Sequence, residues 1–154
     1  MKDLKRPVLM IEDSDEDFEI TVAAMRQSGL TTPLIRCSTG RQAMDFIHQR
    51  GAYTLAEEPL FILIDLNIPG IDGRQILAEL RKSPWLSAVP AIVLSTSSNP
   101  RDIRLCYQVG AAGYLVKPVN LDRFEEMIDG LARYWMDIVA LPDQQELGHA
   151  GANI

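Results

Sequence analysis

Five residues able to do chemistry each stand at the end of a short apolar run. Glu12 and Asp13 follow VLMI, Asp65 follows LFILI, Ser95 follows AIVL, and Lys117 follows GYLV. Runs of this kind are built for burial, so a charge at the end of each needs a reason. Carboxylates gathered at one place repel, at a cost of about 3 kcal/mol per like pair for a separation of about 5 Å and an effective dielectric near 20. Protons or a divalent cation must relieve that repulsion. Oxygen-only ligands suit Mg²⁺, a hard ion held by one or two carboxylates plus waters or phosphate oxygens. With a lysine and a hydroxyl beside it, such an ion makes a receptor for a phosphoryl group. An aspartate there can itself be the nucleophile and form an aspartyl phosphate.

For these residues to meet, the runs that carry them must lie side by side and end on one edge. The runs 8–12, 33–38, 60–65, 91–95 and 113–117 are strand-length and rich in Val, Ile or Leu, without the alternation of a half-exposed strand. They read as strands covered on both faces. Helical patterns lie between them, near 15–28, 40–50, 73–82 and 101–109, followed by a long one from about 120 to 139. Strand–helix alternation repeated in this way predicts an α/β fold, a doubly wound five-stranded parallel sheet with five helices and an extended last helix. Local punctuation agrees. Ser14 or Asp15 can cap the first helix, Asp15, Glu16 and Asp17 suit its positive end, and Gly29 and Gly110 stand where helices should stop. In such sheets ligands bind beyond the carboxyl ends of the strands, at the point where strand order reverses. Glu12, Asp13, Asp65, Ser95 or Thr96, and Lys117 are all predicted on that edge.

Length and composition bound the alternatives. With 154 residues the chain is read as one domain. A net charge of −6, with no basic stripe, argues against a nucleic-acid partner. No apolar run reaches the roughly 18 residues of a membrane span. Cys37 and Cys106 stand alone, at no metal or redox spacing, which suits a reducing cytoplasm. The string Asp13-Ser14-Asp15-Glu16-Asp17 is not a calcium loop, because Phe18 stands where that loop needs Gly and Ala24 where it needs Glu.

The segments IEDSDED, LIDLNIPGIDG, VLSTSS and GYLVKPV occur in that order, with 30 residues from Asp65 to Ser95 and 22 from Ser95 to Lys117. In these motifs the chain resembles, over about residues 6 to 135, a receiver domain of two-component response regulators, the CheY-like superfamily with a flavodoxin-like fold. The resemblance implies that Asp65 accepts phosphate from a sensor histidine kinase's phosphohistidine. It further implies that Glu12, Asp13 and Asp65 hold Mg²⁺ together with the backbone carbonyl of Asn67. Ser95 and Lys117 would bind the phosphoryl group, and Tyr114 would be the aromatic switch. The Lys117–Pro118 bond is expected to be cis, and Glu12 departs mildly from the aspartate common at its position.

The final helix carries one apolar stripe, Leu121, Phe124, Ile128, Leu131, Trp135 and Ile138, with Met127, Tyr134, Val139 and Leu141 beyond it. A helix of about 20 residues spans about 30 Å, longer than strands of about 17–20 Å. Its last turns are therefore expected to overhang the domain and leave Trp135 and its neighbours uncovered. The ending ARYWMDIVALP resembles the stand-alone regulators that serve bacterial and cyanobacterial phytochromes and dimerise here. Tyr134, Trp135, Ile138, Val139 and Leu141 are thus the expected contacts of a homodimer. The receiver is expected over 6–140, a flexible tail over 141–154, and no output domain. Two rival functions share the chemistry or the fold. A Mg²⁺-dependent phosphatase of the haloacid-dehalogenase kind would place its nucleophile on the first strand in a D-x-D-x-T/V pattern, which Asp17 breaks. An interaction module that takes no phosphate would be expected to lack Asp65 or Lys117.

Overall fold

The computed structural model describes residues 6–143. The strands are β1 (Val8–Ile11), β2 (Leu34–Cys37), β3 (Ile62–Asp65), β4 (Ala91–Ser95) and β5 (Gly113–Val116). The helices are α1 (Asp15–Gln27), α2 (Gly40–Ile47), α3 (Gly73–Lys82), α4 (Pro100–Val109) and α5 (Leu121–Arg133). All strand pairs are parallel, in the order β2-β1-β3-β4-β5. That is the flavodoxin-like order, whose switch point lies between β1 and β3.

Strand periodicity of two divides the core. Leu9, Ile11, Ile62, Ile64, Ala91 and Val93 face α2 and α3 and pack with Phe46, Ile76, Leu77 and Leu80. Val8, Met10, Leu63, Ile92 and Leu94 face α1 and α5 and pack with Met25, Phe124, Ile128 and Leu131. β1, β3 and β4 are buried throughout, as their apolar runs predicted. β2 and β5 are only half-buried, because each is an edge strand with one neighbour. Ser14 caps α1 by accepting from the Asp17 N–H, and Gly110 ends α4 in the left-handed region at φ 118°.

The burial expected on both faces of all five strands thus fails for β2 and β5, and two further expectations need correction. Among the described residues no peptide bond is cis, so Lys117–Pro118 is trans. The last helix does run to Ile138, but it does not overhang the domain. After Arg133 it widens into a π turn over Tyr134–Ile138, closed by the Val139 N–H donating to the Tyr134 carbonyl at 3.0 Å. The wider turn keeps Trp135 against the sheet, with its ring 6.1 Å from that of Phe61, and buries Met136. Tyr134 and Ile138 stay exposed, at 48% and 65%, while Val139 and Leu141 are half-buried. Leu121, at the other end of the stripe, is also exposed. The tail expected over 141–154 lies, from residue 144 onward, outside the described residues.

Candidate functional site

β1 and β3 are neighbours at the switch point, so Glu12, Asp13 and Asp65 emerge together. One carboxylate oxygen from each lies within 4.8 Å of the others. Glu12 and Asp65 are buried, whereas Asp13 is exposed and faces the mouth of the sheet. The β4–β5 register pairs Ser95 with Val116, which brings Lys117 one residue beyond; its N–H donates to the Ser95 carbonyl at 2.7 Å. The predicted residues Glu12, Asp13, Asp65, Ser95 and Lys117 therefore share one edge.

Lys117 stands at the centre. Its Nζ donates to Glu12 Oε1 at 2.7 Å, to Asp65 Oδ2 at 3.0 Å and to Asp17 Oδ2 at 3.0 Å. Asp17 was expected only to complement the α1 dipole, yet it joins the site across 100 residues of chain. Asp65 Oδ1 accepts from the Asn67 N–H at 2.8 Å, while the Asn67 side chain is exposed. Gly73, the first residue of α3, supports Asp65 from behind. A Cβ there would lie 2.5 Å from Leu66 Cα and 2.8 Å from the Asp65 carbonyl oxygen, so only glycine lets α3 start this close to the acidic strand end.

The charges are out of balance, and protonation follows. Burial, reinforced by hydrogen bonding to Asp65, pushes Glu12 up to about 7, despite the pull of Lys117. Burial acts to raise Asp65 as well, but hydrogen bonds from Glu12, the Asn67 N–H and Lys117 outweigh it and hold Asp65 below the usual carboxylate range. Burial opposes the Lys117 ammonium; its bonds to Glu12 and Asp65 prevail and keep it charged above its ordinary range. Of the two acids Asp65 is therefore the stronger and Glu12 the weaker. The group of three oxygen donors, one of them exposed, is chemically suited to a hard divalent cation.

Ser95 and Tyr114 meet through a residue the sequence did not single out. Ser95 is fully buried, and its Oγ accepts from the Ser97 N–H at 3.1 Å. Tyr114 Oη donates to the Ser97 carbonyl at 2.8 Å. Ser97 Oγ donates to Asp102 Oδ2 at 2.7 Å, and Asp102 is paired with Arg74 of α3. Thr96 is exposed and outside this chain of bonds.

The family described as response regulator receiver domain matches residues 8–129. The chain belongs to that family. Response regulator Rcp1 of Synechocystis sp. is 36% identical over 135 residues, covering 88% of this chain and 92% of Rcp1. The crystal structure of the Mn(2+)-bound form of Rcp1 superposes with a TM-score of 0.85 at 36% identity, covering 90% of this chain and 99% of that one. The phosphorylated cyanobacterial phytochrome response regulator RcpA gives the same TM-score, 0.85, at 33% identity, with 90% of this chain and 99% of RcpA covered. This receiver is therefore a response regulator related to those of phytochromes. No described helix is long and apolar enough to cross a membrane.

Proposed function

We propose that this response regulator takes a phosphoryl group onto Asp65 from the phosphohistidine of a sensor histidine kinase, one of the phytochrome class. The observation that carries this reading is the Asp65 carboxylate held 3.0 Å from Lys117, beside two further acids at the β1–β3 switch point. In the step, an Asp65 oxygen forms a bond to phosphorus while the phosphorus–nitrogen bond to imidazole breaks, and the departing nitrogen keeps the electron pair. Lys117 neutralises charge on the transferred PO₃ unit, exchanging part of its bond to Asp65 for one to phosphate oxygen. Glu12, Asp13, Asp65 and the backbone carbonyl of Asn67 would hold Mg²⁺, which when bound neutralises charge on the phosphoryl oxygens. Asp65 carries one phosphate at a time and is regenerated when water hydrolyses the acyl phosphate to inorganic phosphate, so the protein acts as a switch whose only turnover is its own phosphotransfer and dephosphorylation.

The readout follows from Ser97. When the Ser95 hydroxyl turns to the new phosphoryl group, the Ser97 N–H loses its acceptor, and the loop that also anchors Tyr114 is free to shift. That shift changes the surface of α4, β5 and α5, where protein partners dock. A homodimer would form through Tyr134 and Ile138, flanked by Val139 and Leu141, with Trp135 supporting them from the core side. Two buried free thiols, Cys37 and Cys106, accord with work in a reducing cytoplasm. Labelling with a small phosphodonor and Mg²⁺ tests the core of this reading. The parent should gain one PO₃ unit by mass and Asp65→Asn none, with the same circular dichroism; undiminished labelling of Asp65→Asn would overturn it.

A further inference from the structure

Arg36 on β2 is a cation beside the acid site, yet its bonds go elsewhere. Its Nε donates to the backbone carbonyl of Glu12 at 2.9 Å, and its Nη1 to Asp15 Oδ1 at 2.6 Å. Its guanidinium carbon lies 4.9 Å from the centre of the Phe18 ring. The Glu12 N–H donates to the carbonyl of the next β2 residue, Cys37, at 3.0 Å. β2 therefore grips Glu12 by both ends of its backbone. The carbonyl that Arg36 holds belongs to the peptide joining Glu12 to Asp13. Its orientation is set by ψ of Glu12 and φ of Asp13, the dihedrals that aim these two side chains relative to each other. Asp15 and Phe18 belong to the first turn of α1, so one planar group ties that turn and the preceding loop to the sheet edge. Arg36 Nη2 is buried without a hydrogen-bond partner among the described residues, a cost that a simple surface charge would avoid.

We propose that Arg36 is a positioning residue for the divalent-cation site: its fork sets the β1–α1 loop so that Glu12 and Asp13 present their carboxylates together. This rests on the metal reading above. Two influences of Arg36 on a cation have opposite signs, which makes the inference testable. As a nearby positive charge it repels the ion, and its removal should tighten binding. As a splint it prepares the ligands, and its removal should loosen binding.

Isothermal titration of Mg²⁺ into the full chain compares the parent with Arg36→Met and Arg36→Lys, at a temperature where circular dichroism finds each fully folded. Lost stability alone then leaves the Kd unmoved. Arg36→Met should weaken Mg²⁺ roughly tenfold, the scale of losing a residue that orients metal ligands. Arg36→Lys should weaken it comparably, because an ammonium cannot hold a carbonyl and a carboxylate in one plane. An unchanged or tighter Kd in Arg36→Met overturns the positioning role, and so does parental affinity in Arg36→Lys. If Arg36→Met fails to fold, Arg36→Lys carries the comparison alone. A parent that takes up no Mg²⁺ defeats the metal reading and this inference with it, whereas a parent that binds beside variants that bind equally defeats only the inference.

Discussion

Among the described residues two cations are buried, one at each end of the sheet, and they are surrounded differently. At the foot, Arg6 is 3% exposed and donates to the carbonyls of Glu58, Pro59 and Pro142 at 3.1, 2.9 and 3.0 Å, and to Glu58 Oε1 at 3.3 Å. One carboxylate bonds the guanidinium, and neutral carbonyls take three more of its donors. At the mouth, Lys117 is 8% exposed and faces three carboxylates, Glu12, Asp17 and Asp65, with Asp13 close by. A single ammonium cannot offset that much negative charge. The foot is a closed structural knot, and the mouth has a standing deficit of positive charge. Buried ion pairs of similar exposure can thus be scaffold or chemistry, and the charge balance around each separates the two.

Breaking the foot should cost stability and little else. Arg6→Met removes the guanidinium that bonds Glu58 and three backbone carbonyls, a loss of about 3–5 kcal/mol. Thermal denaturation should record it, while phosphodonor labelling of the folded fraction stays near the parent rate. Breaking the mouth should cost the labelling reaction above all. Lys117→Met should slow labelling roughly 10²–10³-fold, the scale of removing one donor that stabilises transition-state charge. It also sharpens the contrast: without the ammonium the acids repel more strongly, so Mg²⁺ should raise the melting temperature of this variant more than that of the parent. A smaller rise would mean that the mouth carries no charge deficit.

The pH dependence is gentler, and its sign is fixed. The folded value of Glu12, about 7, lies above its ordinary 4.5, so the metal-free fold holds a proton that the unfolded chain releases. That contribution to stability is complete below 4.5 and is lost as pH rises to about 7. Mg²⁺ needs the deprotonated acid, so its Kd should increase as pH falls through about 7. Calorimetry near pH 6 in two buffers of different ionisation heat should detect a released proton; identical heats would show Glu12 already ionised. Smallest is the effect at the far end of α5. Ile138→Glu, at an exposed position, should weaken self-association with little change in melting temperature. Light scattering of a parent that stays monomeric at high concentration would remove the dimer.

Much of this was legible along the chain because it is local. Apolar runs without alternation marked five strands as covered on both faces, which holds for β1, β3 and β4 but not for the edge strands β2 and β5, since the order of strands in the sheet is not written in any one run. The polar residues that end β1, β3, β4 and β5 pointed to the site. What the sequence hid depends on distant partners. Arg6 reads as a stray charge near a terminus, yet its main partner lies 52 residues away. Asp17 reads as a helix-start acid until Lys117 reaches it. Ser97 is one hydroxyl among several in VLSTSS, and only the fold sets its N–H on Ser95 and its carbonyl on Tyr114. The stripe on α5 was visible, but not the π turn that seats Trp135 against Phe61, since 3.6-residue periodicity has no signature for it.

The central claim is that the Asp65 carboxylate is where phosphate lands. Reductive trapping of the acyl phosphate with borohydride, followed by peptide sequencing, reads the site directly. Conversion of Asp65 alone to homoserine is the predicted result. Label on another residue, or a phosphorylated protein in which Asp65 survives intact, would contradict it.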